Sequence, residues 1–223
     1  EMSRRSKEGI LTISVVFGNA TAGGAYVPGM SDYTVMQKGQ AKVFLAGPPL
    51  VKMATNEEST DEELGGAQMH STISGVSDFL AENEDDAIKI TRKIVEINVN
   101  DKDKTQSKDS NPPLFKKEDI LGIIPYNLKN PFDIRDLIVR FVDNSEFYEF
   151  KEKYGVTMKC GWAKINNHQI GIIASNGVIF SESAKKATQF IQLANKNNIP
   201  ILFIHNTTGF MVGKRHEQNG MVN

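Results

Sequence analysis

Gly23 and Gly24 sit in the stretch ISVVFGNATAGGAYVPGMSD, Ile13 to Asp32, directly after a β-branched apolar run and directly before Tyr26, Val27 and Pro28. Bare backbone at such a place lets a ligand approach main-chain N–H groups, and a turn into a following helix aims those groups at negative charge. A tight strand-to-helix connection with no ligand is the other reading of the same residues. His70, in GGAQMHSTISG, is the most tempting general base in the chain. A lone histidine more commonly serves as a hydrogen-bonded structural group, and that is the reading adopted for it. Ser181 and Ser183, in SNGVIFSESA, stand at the expected start of a helix, where capping is their default role.

Other chemistries find no support. The four histidines, His70, His168, His205 and His216, have no mutual ligand spacing, so no metal site is expected. The single cysteine, Cys160, excludes an intrachain disulfide framework and a cysteine-based zinc cluster. Neither a P-loop nor a Gly-x-Gly-x-x-Gly after a strand occurs, which excludes the common nucleotide sites. With 26 basic and 27 acidic side chains, no overall field favours nucleic acid or an anionic membrane surface. No apolar run reaches the length of a membrane span, and a soluble protein is expected. The opening Glu1 and the closing EQNGMVN lead us to expect a segment of something longer.

At 223 residues and 39% hydrophobic content the chain can bury a sizeable core, as one domain or two. Strands are expected at Ile10–Phe17, Tyr33–Gln37 and Ala41–Gly47, and Pro48 and Pro49 open a helix running through Met53. Ser59 or Thr60 is an N-cap candidate for a short helix rich in early carboxylates. Ala87, Ile90, Ile94 and Ile97 predict a longer helix. Asn98 to Pro113 is polar and nearly free of apolar residues, which predicts a linker or mobile loop over Asn100–Asn111. NPFDIRDLIVRFVDNSEFYEFK reads as helix from the stripe Ile134, Leu137, Ile138 and Phe141. Met158–Ile165 and Gln169–Ala174 read as a hairpin turning at NNH, followed by a helix, the strand IPILFIH and a second glycine-bearing loop. Both halves thus have a ββα layout, although their residues do not repeat closely.

Taken together, TAGGAYVPGMSD, VFLAGPPLVKMAT, ELGGAQMHSTISGVSD and NGVIFSESAKKATQFIQLANKNNIPILFIHNTTGFMVG closely resemble the carboxyltransferase (β) subunit of biotin-dependent acyl-CoA carboxylases, in its methylcrotonoyl-CoA carboxylase-like branch. The resemblance implies an α/β fold of the ClpP/crotonase type, ββα units wound into a superhelix, with parts of two tandem domains present. Residues 1–98 then form the later part of an N-terminal domain on the acyl-CoA side. Residues 99–129 form the linker, and 130–223 the early part of a C-terminal domain on the biotin side.

The same resemblance implies the site. Transfer of CO2 to a carbon beside a thioester needs an enolate whose oxygen is stabilised. Backbone N–H groups of Gly23, Gly24 and Ala25 are the implied donors, with Ala22, Tyr26, Gly47 and Pro48 along the acyl-CoA. Gly177, Val178, Phe180, Gly209 and Phe210 are the implied wall for biotin, which is carried covalently by a partner subunit or domain and itself takes the substrate proton. Ala174 and Ser175 stand where relatives often carry Gly-Asn, and Thr207 where Ile is common, so this wall departs from the pattern. The second oxyanion loop, for biotin, is implied to lie beyond the end of this sequence. Implied partners are the acyl-CoA, a biotin carboxylase or biotin carboxyl carrier subunit, and further copies in a β hexamer. The implied compartment is the mitochondrial matrix in a eukaryote and the cytoplasm in a bacterium. Two alternatives stay open: a biotin-dependent decarboxylase subunit on the same fold, and a non-catalytic scaffold.

Overall fold

The structure, a computed structural model, describes residues 1–99, 111–127, 130–207 and 209–218. The chain divides into two compact units, Glu1–Asn100 and Asp101–Asn223. The first unit opens with helix α1 (Met2–Lys7), strands β1 (Ile13–Val16) and β2 (Asn19–Thr21), a 3₁₀ turn at Ala22–Ala25 and helix α2 (Tyr26–Met30). Strands β3 (Tyr33–Gln37) and β4 (Lys42–Phe44) follow, then helices α3 (Pro48–Thr55), α4 (Asp61–Gly65) and α5 (Ala67–Met69). A π-helical turn at His70–Ser74 leads to β5 (Phe79–Ala81) and α6 (Glu84–Asn98).

The turn Lys38-Gly39-Gln40 does not close a hairpin, because β3 and β4 belong to different sheets. β3 is the middle of a parallel sheet in the order β1-β3-β5, and β2 pairs in parallel with β4. Every residue of β3 is buried, as a strand covered on both faces requires. One device fixes both pairings of the larger sheet. The Asp32 carboxylate, just before β3, accepts from the Thr12 backbone N–H (2.7 Å), and the Asp78 carboxylate, just before β5, accepts from the Thr34 backbone N–H (2.6 Å). Each aspartate thereby satisfies a donor at the start of its neighbouring strand.

Helix starts in this unit follow local rules. The Thr60 hydroxyl accepts from the Glu63 backbone N–H while the Glu63 carboxylate accepts from that of Thr60, a full capping box for α4. Hydrogen bonds donated to it by the Thr60 backbone N–H and the Thr60 hydroxyl hold the Glu63 carboxyl below its ordinary range. The Asn83 side chain caps α6, whose first turn carries Glu84, Asp85 and Asp86.

Residues 100–110 and 128–129 of the expected linker lie outside the described residues, and with them almost all of the stretch expected to be mobile. Between them, Lys117–Asp119 and α7 (Ile120–Ile123) form short helical turns where no element was expected. The long helix expected from Asn130 onward is corrected to α8 (Ile134–Ile138), a 3₁₀ turn at Asp143–Ser145 and strand β6 (Tyr148–Phe150). Asn144 and Ser145 take left-handed backbone conformations (φ 54° and 56°), which no helix accommodates, and the chain leaves them extended. The apolar stripe survives as packing: Ile134, Ile138 and Val142 share a core with Ala163, Ile172 and Ala174.

Strands β7 (Met158–Ile165) and β8 (His168–Ser175) form the expected hairpin, turning at Asn166 and Asn167 (φ 50° and 63°). Two consecutive residues with positive φ make the type of turn whose twist matches a hairpin. Helix α9 (Ser181–Lys196), strand β9 (Ile201–Ile204) and α10 (Lys214–Gln218) complete the unit, with strand order β6-β7-β8-β9 and only β8–β9 parallel. The expected serine cap of α9 is corrected: Phe180 occupies the cap position and no side chain caps it. Ser183 is instead buried and hydrogen-bonds the Thr157 hydroxyl (2.8 Å).

Candidate active site

In the first unit the two sequence-predicted loops emerge side by side. β2 and β4 run parallel, and their last paired residues are Thr21 and Phe44. Ala22–Ala25 therefore leaves one strand, and Gly47 and Pro48 follow the other, at one edge of the same sheet. Ala25 is buried in the core formed by Val16, Met36, Ala41, Val43 and Ala67, which anchors the turn from within. Gly47 is the N-cap of α3, with Pro48 and Pro49 at the positions where a missing N–H costs nothing.

Gly23 and Gly24 are exposed, and neither has positive φ; the left-handed residue of the turn is Ala22 (φ 52°). A Cβ added at either glycine would meet no atom within 4 Å. Neither backbone conformation nor packing within the chain thus requires glycine at these positions. The 3₁₀ turn passes the Tyr26 N–H to the Gly23 carbonyl. In i→i+3 geometry the first-turn N–H groups, Ala22 and Gly23, have no partner inside the turn, whereas those of Gly24 and Ala25 point back along it. Gly24 also lines a cavity of about 310 Å³ together with Val16, Phe17, Val27 and Pro28. Tyr26 is exposed beside it.

The predicted residues of the second unit also come together. The Gly177 N–H donates to the Asn206 carbonyl (3.0 Å), the Ile179 N–H to the Gly209 carbonyl (3.0 Å) and the Met211 N–H back to Ile179 (3.0 Å). Ile179 and Phe210 form a parallel bridge. Gly177 and Gly209 have φ of 123° and 127°, which side chains rarely adopt, and here the backbone itself explains glycine. Val178 and Phe180 are half-buried, Phe180 stacks near His216 (5.8 Å), and Phe210 is 65% exposed.

A family model, "Carboxyl transferase domain", matches residues 1–223. The chain belongs to this family. It is 56% identical over 223 residues to a Mycobacterium tuberculosis protein named probable biotin-dependent acyl-coenzyme A carboxylase beta2 subunit, covering 100% of this chain and 42% of that one. It is 50% identical over 218 residues to the mitochondrial methylcrotonoyl-CoA carboxylase beta chain of Dictyostelium discoideum, covering 97% and 37%. Among solved structures, the transcarboxylase 12S hexamer with hydrolysed methylmalonyl-coenzyme A superposes with a TM-score of 0.90 at 28% identity, covering 99% of this chain and 44% of the other. The crotonase-like fold expected from the sequence is thereby found. The carboxyl transferase chain spans about two fifths of the length of the curated relatives it matches.

His70 in this carboxyl transferase domain is fully engaged. Its Nε2 donates to the Val43 carbonyl (2.6 Å) and its Nδ1 pairs with the Ser74 hydroxyl (2.7 Å), leaving no ring nitrogen for a substrate proton. Replacing His70 with alanine is expected to leave the Val43 carbonyl unpaired and to cost about 1–3 kcal/mol, read as a lower unfolding midpoint. Among the described residues no three His, Cys, Asp or Glu side chains gather as metal ligands, and no helix is long and apolar enough to cross a membrane.

Several positioning residues were missed in the sequence. The Thr34 hydroxyl donates to the Pro28 carbonyl (2.7 Å), which ties α2 to β3 immediately behind the glycine turn, and the Ser31 hydroxyl closes the end of α2 on the Val27 carbonyl (2.8 Å). A usable signal was present. Gly-x-Ser-Asp-aromatic occurs twice, as Gly29–Tyr33 and Gly75–Phe79, each time with the aspartate that staples the next parallel strand.

Proposed function

We propose that the protein is the carboxyltransferase component of an acyl-CoA carboxylase. It moves CO2 from carboxybiotin on a partner to the α-carbon, or the vinylogous γ-carbon, of an acyl-CoA. Family membership over the whole chain supports the reaction class. The observation that carries the assignment of the site is the pair Gly23 and Gly24, bare where neither φ nor internal packing demands it. Space kept open beside the Gly23 N–H, which has no partner inside the turn, suits a thioester oxygen that becomes an enolate oxygen. The Gly23 N–H is the donor that the turn leaves open, while the N–H groups of Gly24 and Ala25, which point back along the turn, hold it in shape. Ala22, Tyr26, Gly47 and Pro48 flank the acyl-CoA.

The second unit fits the biotin side. Two glycines at which an added Cβ would meet no atom within 4 Å, together with the exposed face of Phe210, offer a flat wall for a small bicyclic ring, with Val178 and Phe180 beside it. Carboxybiotin supplies the CO2; this chain's residues bind and orient, and His70 is not a base. The acyl-CoA side is residues 1–98 and the biotin side 130–223. A β hexamer together with a biotin carboxylase or carrier subunit is the assembly, in the mitochondrial matrix of a eukaryote or the cytoplasm of a bacterium.

The test is a carboxylation assay of the complete protein, with its biotin-bearing partner, across acetyl-, propionyl-, methylcrotonoyl- and longer acyl-CoAs. Carboxylation of at least one is expected. Decarboxylation alone would assign the decarboxylase alternative, and failure to bind any acyl-CoA would assign the scaffold.

A further inference from the structure

Helix α9 begins immediately after Gly177–Phe180, and its buried face carries an ion where a hydrophobe would be ordinary. Ser183, Lys186, Phe190, Leu193 and Ala194 form that face. Phe190 packs on Trp162 (ring centroids 4.3 Å apart) and on Phe150 (5.7 Å), and Ser183 lies against Gly155, where a Cβ would sit 3.0 Å from the helix backbone. Between them, Lys186 is 0% exposed. Among the described residues its Nζ has no hydrogen-bond partner, and its nearest counter-charge is Glu149 Oε1 at 3.9 Å.

Glu149 is the centre of the cluster. Its Oε2 faces Arg135 (3.3 Å) from α8, and its Oε1 faces Lys159 (3.4 Å) from β7 as well as Lys186. Arg135 is already paired with Asp133 (2.6 Å). One carboxylate whose side chain is 10% exposed thus meets three cations, and Lys151, which is buried, lies two residues further on. Cys160 adds no anion, because burial pushes its thiol up to about 12. An ammonium without hydrogen bonds in such surroundings works against stability. Burial, with Lys159 and Lys151 nearby, brings Lys186 down to about 8 despite Glu149.

We infer that Lys186 is a positioning residue: its ammonium ties α9 to the Glu149 carboxylate and so holds the Gly177–Phe180 segment in place, at a cost in stability. The step from that segment to activity rests on the biotin-side reading proposed above.

Because the folded state favours the neutral amine, the penalty is present below about pH 8 and disappears as the pH rises towards the ordinary 10.5. The tie to Glu149 is lost over the same rise. A purely structural ion pair behaves oppositely, since its removal lowers stability.

Lys186→Met, close in volume, tests this in the complete protein. At pH 7 its unfolding midpoint is expected to equal or exceed that of the parent. Amide exchange over residues 177–186 is expected to rise, and transfer from carboxybiotin to fall roughly tenfold or more, because small misplacements of a reactant are costly. Glu149→Gln is expected to act on the same path, so the double variant loses no more than the larger single loss. Unchanged exchange over 177–186, additive losses, or a lowered midpoint at pH 7 would each overturn the inference. Raised exchange with unchanged transfer would uphold the positioning role and contradict the biotin-side reading instead.

Discussion

Replacing Gly24 with valine is expected to lower carboxyl transfer about a hundredfold or more, the loss typical of a disabled oxyanion site. The fold should tolerate the change. Gly24 has no positive φ, its added Cβ meets nothing within 4 Å, and replacing a glycine in an accessible conformation restricts the unfolded chain. The side chain instead enters the cavity of about 310 Å³ that Gly24 lines. Acyl-CoA carboxylation by the purified variant, beside its unfolding midpoint, checks both halves of the expectation. Near-normal turnover in a folded variant would remove the glycine pair from the chemistry.

Trp162→Ala is expected to destabilise the second unit by about 3–5 kcal/mol, as truncation of a large buried aromatic does. Trp162 is 1% exposed, packs on Phe190 and sits beside Gly171, whose bare backbone makes room for both rings. Its indole N–H has no hydrogen-bond partner among the described residues. Trp162→Phe should therefore cost well below the alanine change, because only volume is lost. Denaturant unfolding of the two variants measures the difference. Equal losses would show that the indole N–H, not the packing, matters.

Features governed by near neighbours were legible in the sequence. Thr60 caps α4 because its partner, Glu63, is three residues away, and Asn166–Asn167 turns the hairpin because asparagine tolerates positive φ. The stripe Ile134, Leu137, Ile138 and Phe141 misled, since the helix read from it was carried on past Asn144 and Ser145, whose left-handed conformations no helix accommodates. Gly23 and Gly24 stood out as bare backbone in an apolar setting. Their neighbourhood with Gly47 did not, because it depends on the parallel register of β2 and β4 across a long interval of chain. Lys186 was equally hidden. Nothing in SESAKKATQF distinguishes it from Lys185 until α9 turns one side chain inward towards Glu149 and the other to solvent.

In the proposed site the backbone N–H of the Gly23–Gly24 turn, led by Gly23, holds the thioester oxygen of an acyl-CoA. Isotope-edited infrared spectroscopy of the complete protein saturated with a carbonyl-labelled acyl-CoA observes that oxygen directly. A thioester carbonyl stretch at lower frequency in the complex than in water is expected, with the shift abolished by Gly24→Val. An unshifted stretch in the saturated parent protein, or a shift that survives the valine, would contradict it.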